Sequence, residues 1–325
     1  MSSDGARFVA AALENDMEAV QSLLKRHVTP NVRDWDRRTP LIAAAVGGHL
    51  ELVKFLVSKK ADILLRDSDD ISVLAEAVIG GHTEIVRYLL TLSGREILIE
   101  LTAASGATPL WFAAAEGKLE IVQMLLAVGS EPDRRRVDDI SPIIASAANG
   151  FVDVTNIFID AGADVNYQTK PEGLTALFAA CENRSFFIID ALLRAGANPN
   201  TLTEMGFSPL IIASAYGRVD IVRRLLESGA EPDMAHPENV SALMYACSTG
   251  QESTVELLLS LGKDRIDVNR VHSLGGAAIM EAVTVGNIPI YRMLVNAGAN
   301  VSIQDFDGVN LLITAATHGQ TAMAR

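Results

Sequence analysis

The 325 residues suffice for two ordinary domains or one long repeat array, and an apolar share of 49% excludes a disordered tail. Aromatics make up only 5%, which suits a core of Ala, Leu, Val and Ile between thin helices. A net charge of −13, from 27 Lys+Arg against 40 Asp+Glu, excludes the basic stripe that nucleic acid or an anionic membrane surface needs, and favours a basic or apolar protein partner.

In chain order, a run typified by Thr39-Pro40-Leu41-Ile42-Ala43-Ala44 recurs. Equivalent first positions are Ala6, Thr39, Ser72, Thr108, Ser141, Thr175, Ser208, Ser241, Ala277 and Asn310. Successive steps are 33, 33, 36, 33, 34, 33, 33, 36 and 33 residues, so three-residue insertions fall near 91–101 and 261–267. The Thr or Ser can cap a helix N-terminus, and Pro40, Pro109, Pro142 and Pro209 suit its first turn. Nine residues after each start stands a glycine, from Gly48 to Gly319, except at Asn15 and Arg184. Such a residue can take the left-handed conformation that ends a helix. A second apolar stripe follows, as in Leu52-Val53 with Leu56-Val57, and most second stripes end at another glycine, such as Gly129 or Gly298. Each unit therefore reads helix, tight turn, helix, loop. One such pair cannot bury its own apolar face, so the units must stack.

This pattern resembles the ankyrin repeat family across essentially the whole chain, most closely at Thr39–Asp62 and Thr108–Asp133. The loop runs Gly162-Ala163-Asp164-Val165-Asn166 and Gly196-Ala197-Asn198-Pro199-Asn200 match the family's G-A-D-x-N. The resemblance implies an all-α solenoid of helix-turn-helix units with projecting hairpin loops, about ten repeats over residues 1–325. Residues 1–34 read as an N-terminal capping repeat and 305–325 as an incomplete last repeat, so a longer protein is expected to continue beyond. One departure is systematic. The fourth signature position, usually His in the family, is Val9, Ile42, Ala75, Trp111, Ile144, Phe178, Ile211, Met244, Met280 or Ile313. Apolar packing is expected to replace the polar links that this His makes between repeats.

Catalytic chemistry is not indicated. No metalloprotease helix, CxxC pair, Walker loop or nucleophile elbow occurs, and the six histidines read as structural. Cys181 and Cys247 stand 66 residues apart in register, which places them too far apart for a disulfide and reads as buried structural thiols. No cofactor, metal, nucleic acid or membrane is expected. No basic and apolar leader opens the chain, and no 18-residue window is apolar enough to span a bilayer. With two cysteines only, a reducing compartment is the expectation, the cytoplasm or the nucleus. The oligomeric state is left open.

The resemblance implies that hairpin tips and the exposed side of the first helices form the binding surface. The tip positions lie one, three and four residues before each start, and the helix positions seven and eight after it. These give Trp35, Asp36, Arg38, Ile71, Ile140, Leu174, Met205, Phe207 and Tyr216 as partner-binding candidates. Trp35, Met205, Phe207 and Tyr216 have no core to enter in this register, whereas Trp111 is expected to pack between first helices. The expected function is a non-catalytic protein–protein interaction scaffold. The alternative is a targeting or regulatory module of a larger enzyme, channel or acyltransferase whose active part follows residue 325. The resemblance also implies a possible modification, hydroxylation of the hairpin asparagine, with Asn166 and Asn200 the best matches and Asn31 and Asn269 poorer ones.

Overall fold

The computed structural model describes residues 3–234 and 236–323. Its chain divides into two compact units, Met1–Asp164 and Val165–Arg325. In the first, the helices pair along the chain as α1 (Ser3–Leu13) with α2 (Met17–Lys25), α3 (Pro40–Val46) with α4 (Leu50–Ser58), and α5 (Val73–Ile79) with α6 (Thr83–Leu89). A one-turn helix α7 (Arg95–Leu98) follows, then α8 (Pro109–Ala115) with α9 (Leu119–Ala127) and α10 (Pro142–Ala148) with α11 (Val152–Asp160). In the second unit the pairs are α12 (Ala176–Asn183) with α13 (Phe186–Arg194), α14 (Pro209–Ala215) with α15 (Val219–Glu227), α16 (Ala242–Ser248) with α17 (Glu252–Leu259), and α18 (Ala278–Val285) with α19 (Ile288–Ala297), before a final α20 (Leu311–Thr317). Among the described residues the only β-pairing is two isolated bridges, Arg66 with Ser72 and Gln304 with Asn310.

The starts act as caps. Thr39 Oγ1 accepts the Ile42 N–H at 3.2 Å, and Ser72, Thr108, Thr175, Ser208 and Ser241 repeat the bond. Ser141 makes no such bond, although its helix begins at the same place. The first helix starts three residues ahead of Ala6, at Ser3. Each first helix lies against its neighbours: α1 on α3, α3 on α5, α5 on α8 and α8 on α10 in the first unit, and α12 on α14, α14 on α16, α16 on α18 and α18 on α20 in the second. Alanines make this possible: Ala44, Ala114, Ala180 and Ala213 are wholly buried, and no side chain there is long enough to hold the backbones apart.

The turn position is left-handed in all ten repeats, including Asn15 at φ +60° and Arg184 at φ +63°. The backbone therefore keeps its conformation where the glycine is missing, at a strain of order 1 kcal/mol for a residue such as Arg. Both cysteines are buried free thiols, and burial pushes each well above the ordinary thiol range. The insertion after α6 folds into α7, and Leu98 and Ile99 enter the core. The insertion after α17 places Ile266 in the core in the same way.

The fourth signature position is apolar and buried in nine repeats, from Val9 to Met280, but Ile313 is exposed. The polar links between repeats are not lost, which corrects the expectation that packing replaces them. They move to the residue just after the turn. His49 Nε2 lies 2.8 Å from the Leu13 carbonyl and His82 Nε2 3.1 Å from that of Val46. Gln251 Nε2 donates to the Ala215 carbonyl at 3.2 Å and Gln320 Nε2 to that of Thr284 at 3.0 Å. Each long donor satisfies a carbonyl at the open C-terminal end of the preceding first helix.

Candidate protein-binding face

Most hairpins are built by the same local device. Two residues before each start, from the second repeat to the tenth, the backbone is left-handed, whether the residue is Gly (106, 173, 206, 275, 308) or Arg37, Asp70, Asp139 or Asn239. Near five residues before the start, a side chain accepts the N–H groups of the turn. Asp34 Oδ1 takes those of Asp36 and Arg38 at 3.0 and 2.9 Å, and Asp67 and Asp305 act alike. Thr203 Oγ1 accepts the Phe207 N–H, and His236 and His272 accept through Nδ1 from Glu238 and Leu274. These two histidines are thus turn anchors. Among the described residues no group of three or more His, Cys, Asp or Glu is arranged to hold a metal ion.

Backbone bonds then join successive tips. Ser68 N–H donates to the Asp36 carbonyl at 2.7 Å, Ala104 to Asp69 at 2.8 Å and Val137 to Ser105 at 3.0 Å in the first unit. In the second, Glu204 donates to Glu172 at 2.9 Å and Ser273 to Glu238 at 2.8 Å. Pro237 has no N–H to offer Met205. The close approach of neighbouring tips is visible at Gly206, where an added Cβ would clash with Pro237 Cδ.

The turn decides which candidates face water. Positions three and four before the start point outward, so Trp35 is 72% exposed, Met205 71%, and Asp36 is exposed beside Trp35. The position one before the start turns back toward the first helices. Arg38, Ile71, Ile140 and Leu174 are accordingly half-buried. Ile140 packs against Trp111 and Ala145, and its carbonyl accepts the Trp111 Nε1 proton at 3.0 Å. Phe207 corrects the expectation of a free aromatic. It is half-buried, with its ring centroid 5.3 Å from that of His236 and 5.6 Å from that of Tyr245. Tyr216 is partly exposed beneath the Arg184 guanidinium, 4.3 Å from the ring centroid. The Met205, Phe207 and Tyr216 group therefore separates into one free side chain and two already partnered. Trp111 is 9% exposed, packed as expected, with the Arg136 guanidinium 4.5 Å from its ring.

Three exposed tip residues escaped the sequence reading: Val137, Leu274 and Phe306, exposed by 76%, 73% and 76%. They occupy the same two outward positions as Trp35 and Met205, so the register alone contained the signal. The asparagines of the loops bind the backbone of the next repeat's loop. Asn200 Oδ1 accepts the Glu231 N–H at 2.8 Å while its Nδ2 donates to Gly229 at 2.9 Å. Asn269 does the same with Asn300 and Gly298, and Asn31 accepts the Asp62 N–H.

Comparison with known proteins decides the family. A family model described as ankyrin repeats (3 copies) matches residues 8–100, 61–136, 142–236 and 232–305. The chain belongs to the ankyrin-repeat family. Its array resembles the ankyrin repeat and KH domain-containing protein mask-1 of Caenorhabditis elegans, 30% identical over 150 residues that cover 36% of this chain and 6% of that protein. It resembles the 2-5A-dependent ribonuclease of Homo sapiens, 43% identical over 190 residues, 56% of this chain and 26% of that protein. Among solved structures, the human ASB11 ankyrin repeat domain superposes with a TM-score of 0.60 at 25% identity, covering 67% of this chain and 98% of that domain. The ankyrin array thus spans 6% and 26% of the two curated relatives named. Ankyrin repeats generally mediate protein–protein interaction. No described helix of this array is long and apolar enough to cross a membrane.

Proposed function

We propose that the array is a non-catalytic interaction scaffold that holds a protein partner through its hairpin tips and first helices. The observation that carries this reading is the set of exposed apolar tip residues, Trp35, Val137, Met205, Leu274 and Phe306. Trp35, Met205, Leu274 and Phe306 each stand on a turn fixed by an anchor and a left-handed residue, so little loop entropy remains to be lost on binding. Apolar and aromatic residues held out in water in this way are what interface centres use. The two buried thiols support a location in a reducing compartment.

The test is purification of partners from cell extract on the intact chain and on a variant carrying Trp35→Ala and Met205→Ala. The variant should melt as the parent does and lose the partner. A partner retained at equal strength removes the tips from the interface. A second reading, a regulatory module within a larger enzyme, is favoured by the likeness to part of a ribonuclease. The sequence that follows residue 325 in the gene separates the two.

A further inference from the structure

Glu76 and Glu281 hold the same place in their repeats, four residues after the start, on the first helices α5 and α18. Both are half-buried carboxylates. Burial raises Glu76, with Asp67 and Asp69 adding to the rise and Arg38 opposing it. Glu281 faces His272, and the geometry is poor. His272 Nδ1 accepts the Leu274 N–H at 3.1 Å, and Nε2 stands 3.8 Å from Glu281 Oε1, beyond hydrogen-bond range. A carboxylate taken partly out of water and left so weakly paired is an unmet electrostatic demand.

The surroundings say what would meet it. Two adjoining hollows, of about 260 and 340 Å³, share His272, Leu274 and Glu281 in their lining. Met244 and Tyr245 wall one and Met280 the other, while Glu238 and Asp305 add two further carboxylates. No Lys or Arg lines either hollow. Leu274 stands between them, 73% exposed. A small hydrated metal ion would gain nothing from thioether and leucine walls, and an anion would meet three carboxylates. A Lys or Arg side chain carries both parts required, a charged head for Glu281 and an apolar stem for Leu274 and the methionines.

Resting on the reading of the array as a protein-binding scaffold, we infer that this groove, running from the tip at 236–240 past that at 272–276 to that at 305–309, receives a lysine or arginine of a partner segment, with Glu281 as its counter-charge and Leu274 against its stem. The overall charge of −13 draws basic segments toward it.

A random dodecapeptide library displayed on phage tests this on the intact chain, with the selected peptides synthesised and measured by fluorescence anisotropy. Binders should carry Lys or Arg beside an apolar residue. Replacement of that residue by norleucine, or Glu281→Gln in the array, should weaken binding about tenfold or more, and Leu274→Ser several-fold. Addition of peptide should shift the Met244 and Met280 methyl resonances. Thermal melting reports the folding of each variant, and Leu274→Ser, at an exposed site, carries the test if Glu281→Gln misfolds. Binders without a basic residue, affinities within about twofold after substitution, or no binder at all overturn the inference. Those outcomes leave the scaffold reading standing, because partner capture dependent on Trp35 and Met205 tests it separately.

Discussion

Asn166 takes the N–H of Asn198 onto its side-chain oxygen at 2.8 Å, so one side chain joins two successive hairpins. Its Nδ2 donates to the Gly196 carbonyl at 3.0 Å. Asn166→Ala removes both bonds and leaves an N–H and a carbonyl to water. The loss should be about 1–2 kcal/mol in urea denaturation, with faster hydrogen exchange at Asn198. A stability equal to the parent's would mean that water replaces the side chain without cost.

The same geometry governs the proposed hydroxylation. An asparaginyl hydroxylase needs the loop extended in its cleft, so both bonds of Asn166, or those of Asn200, must open first. The closer G-A-D-x-N match of Asn166 sets it ahead of Asn31 despite its extra bond, so mass spectrometry after exposure to such an enzyme should find one added oxygen on Asn166 before Asn31. Leu192→Ala, which hollows the core of α13, should raise the yield at Asn200 by loosening that repeat. Modification of Asn31 alone would reverse this order.

Packing ranks the substitutions on and under the face. Leu225 is wholly buried, and Leu225→Ala should cost about 2–5 kcal/mol. Met205→Ala should fall within about 0.5 kcal/mol of the parent, since its side chain stands in water. Phe207→Ala should lie between, at about 1–2 kcal/mol, because it strips two ring contacts, with His236 and Tyr245. Chemical denaturation of the three variants checks the order, and a Phe207→Ala variant as stable as Met205→Ala would contradict the packing.

Burial holds the Glu281 carboxyl above its ordinary range, with His272 drawing it partly back. Glu76 is raised by burial and by Asp67 and Asp69, against Arg38. A folded-state value above the unfolded one means that the native chain holds the proton more tightly. These groups therefore favour the fold while protonated, below the ordinary glutamate value of about 4.3, and that contribution is lost as pH rises through the raised values. Glu281→Gln should melt about 1–2 °C above the parent at pH 7, a small shift because solvent screens the group, and no higher at pH 4. Equal melting at both values would show that the carboxylate bears no burial cost.

Much of the fold was legible because each level agreed with the next. The caps at Thr39 and Ser208, the turn at Gly48 and the stripe from Leu52 all repeat in phase, and a unit that cannot bury its own face must stack. The helical turn of α7 was not legible, since four residues from Arg95 to Leu98 show no period. The links after the turn were hidden because His49, Gln251 and Gln320 share a donor at one length and no common letter. The outward tip positions followed from register. The inward lean of Ile140 and Phe207 did not, since the direction of a residue beside a cap depends on what the next hairpin places there.

At the second repeat's hairpin the residue that anchors the turn and the residue that bends it are not the ones proposed to meet a partner. Asp34 and Arg37 hold the shape, while Trp35 and Asp36 between them meet the solvent. Selection for folding and selection for recognition therefore act on different letters of one short loop. Tips can diverge, or be exchanged between arrays, without renegotiating the helices beneath, and a lineage of such proteins can acquire new partners faster than it acquires new folds.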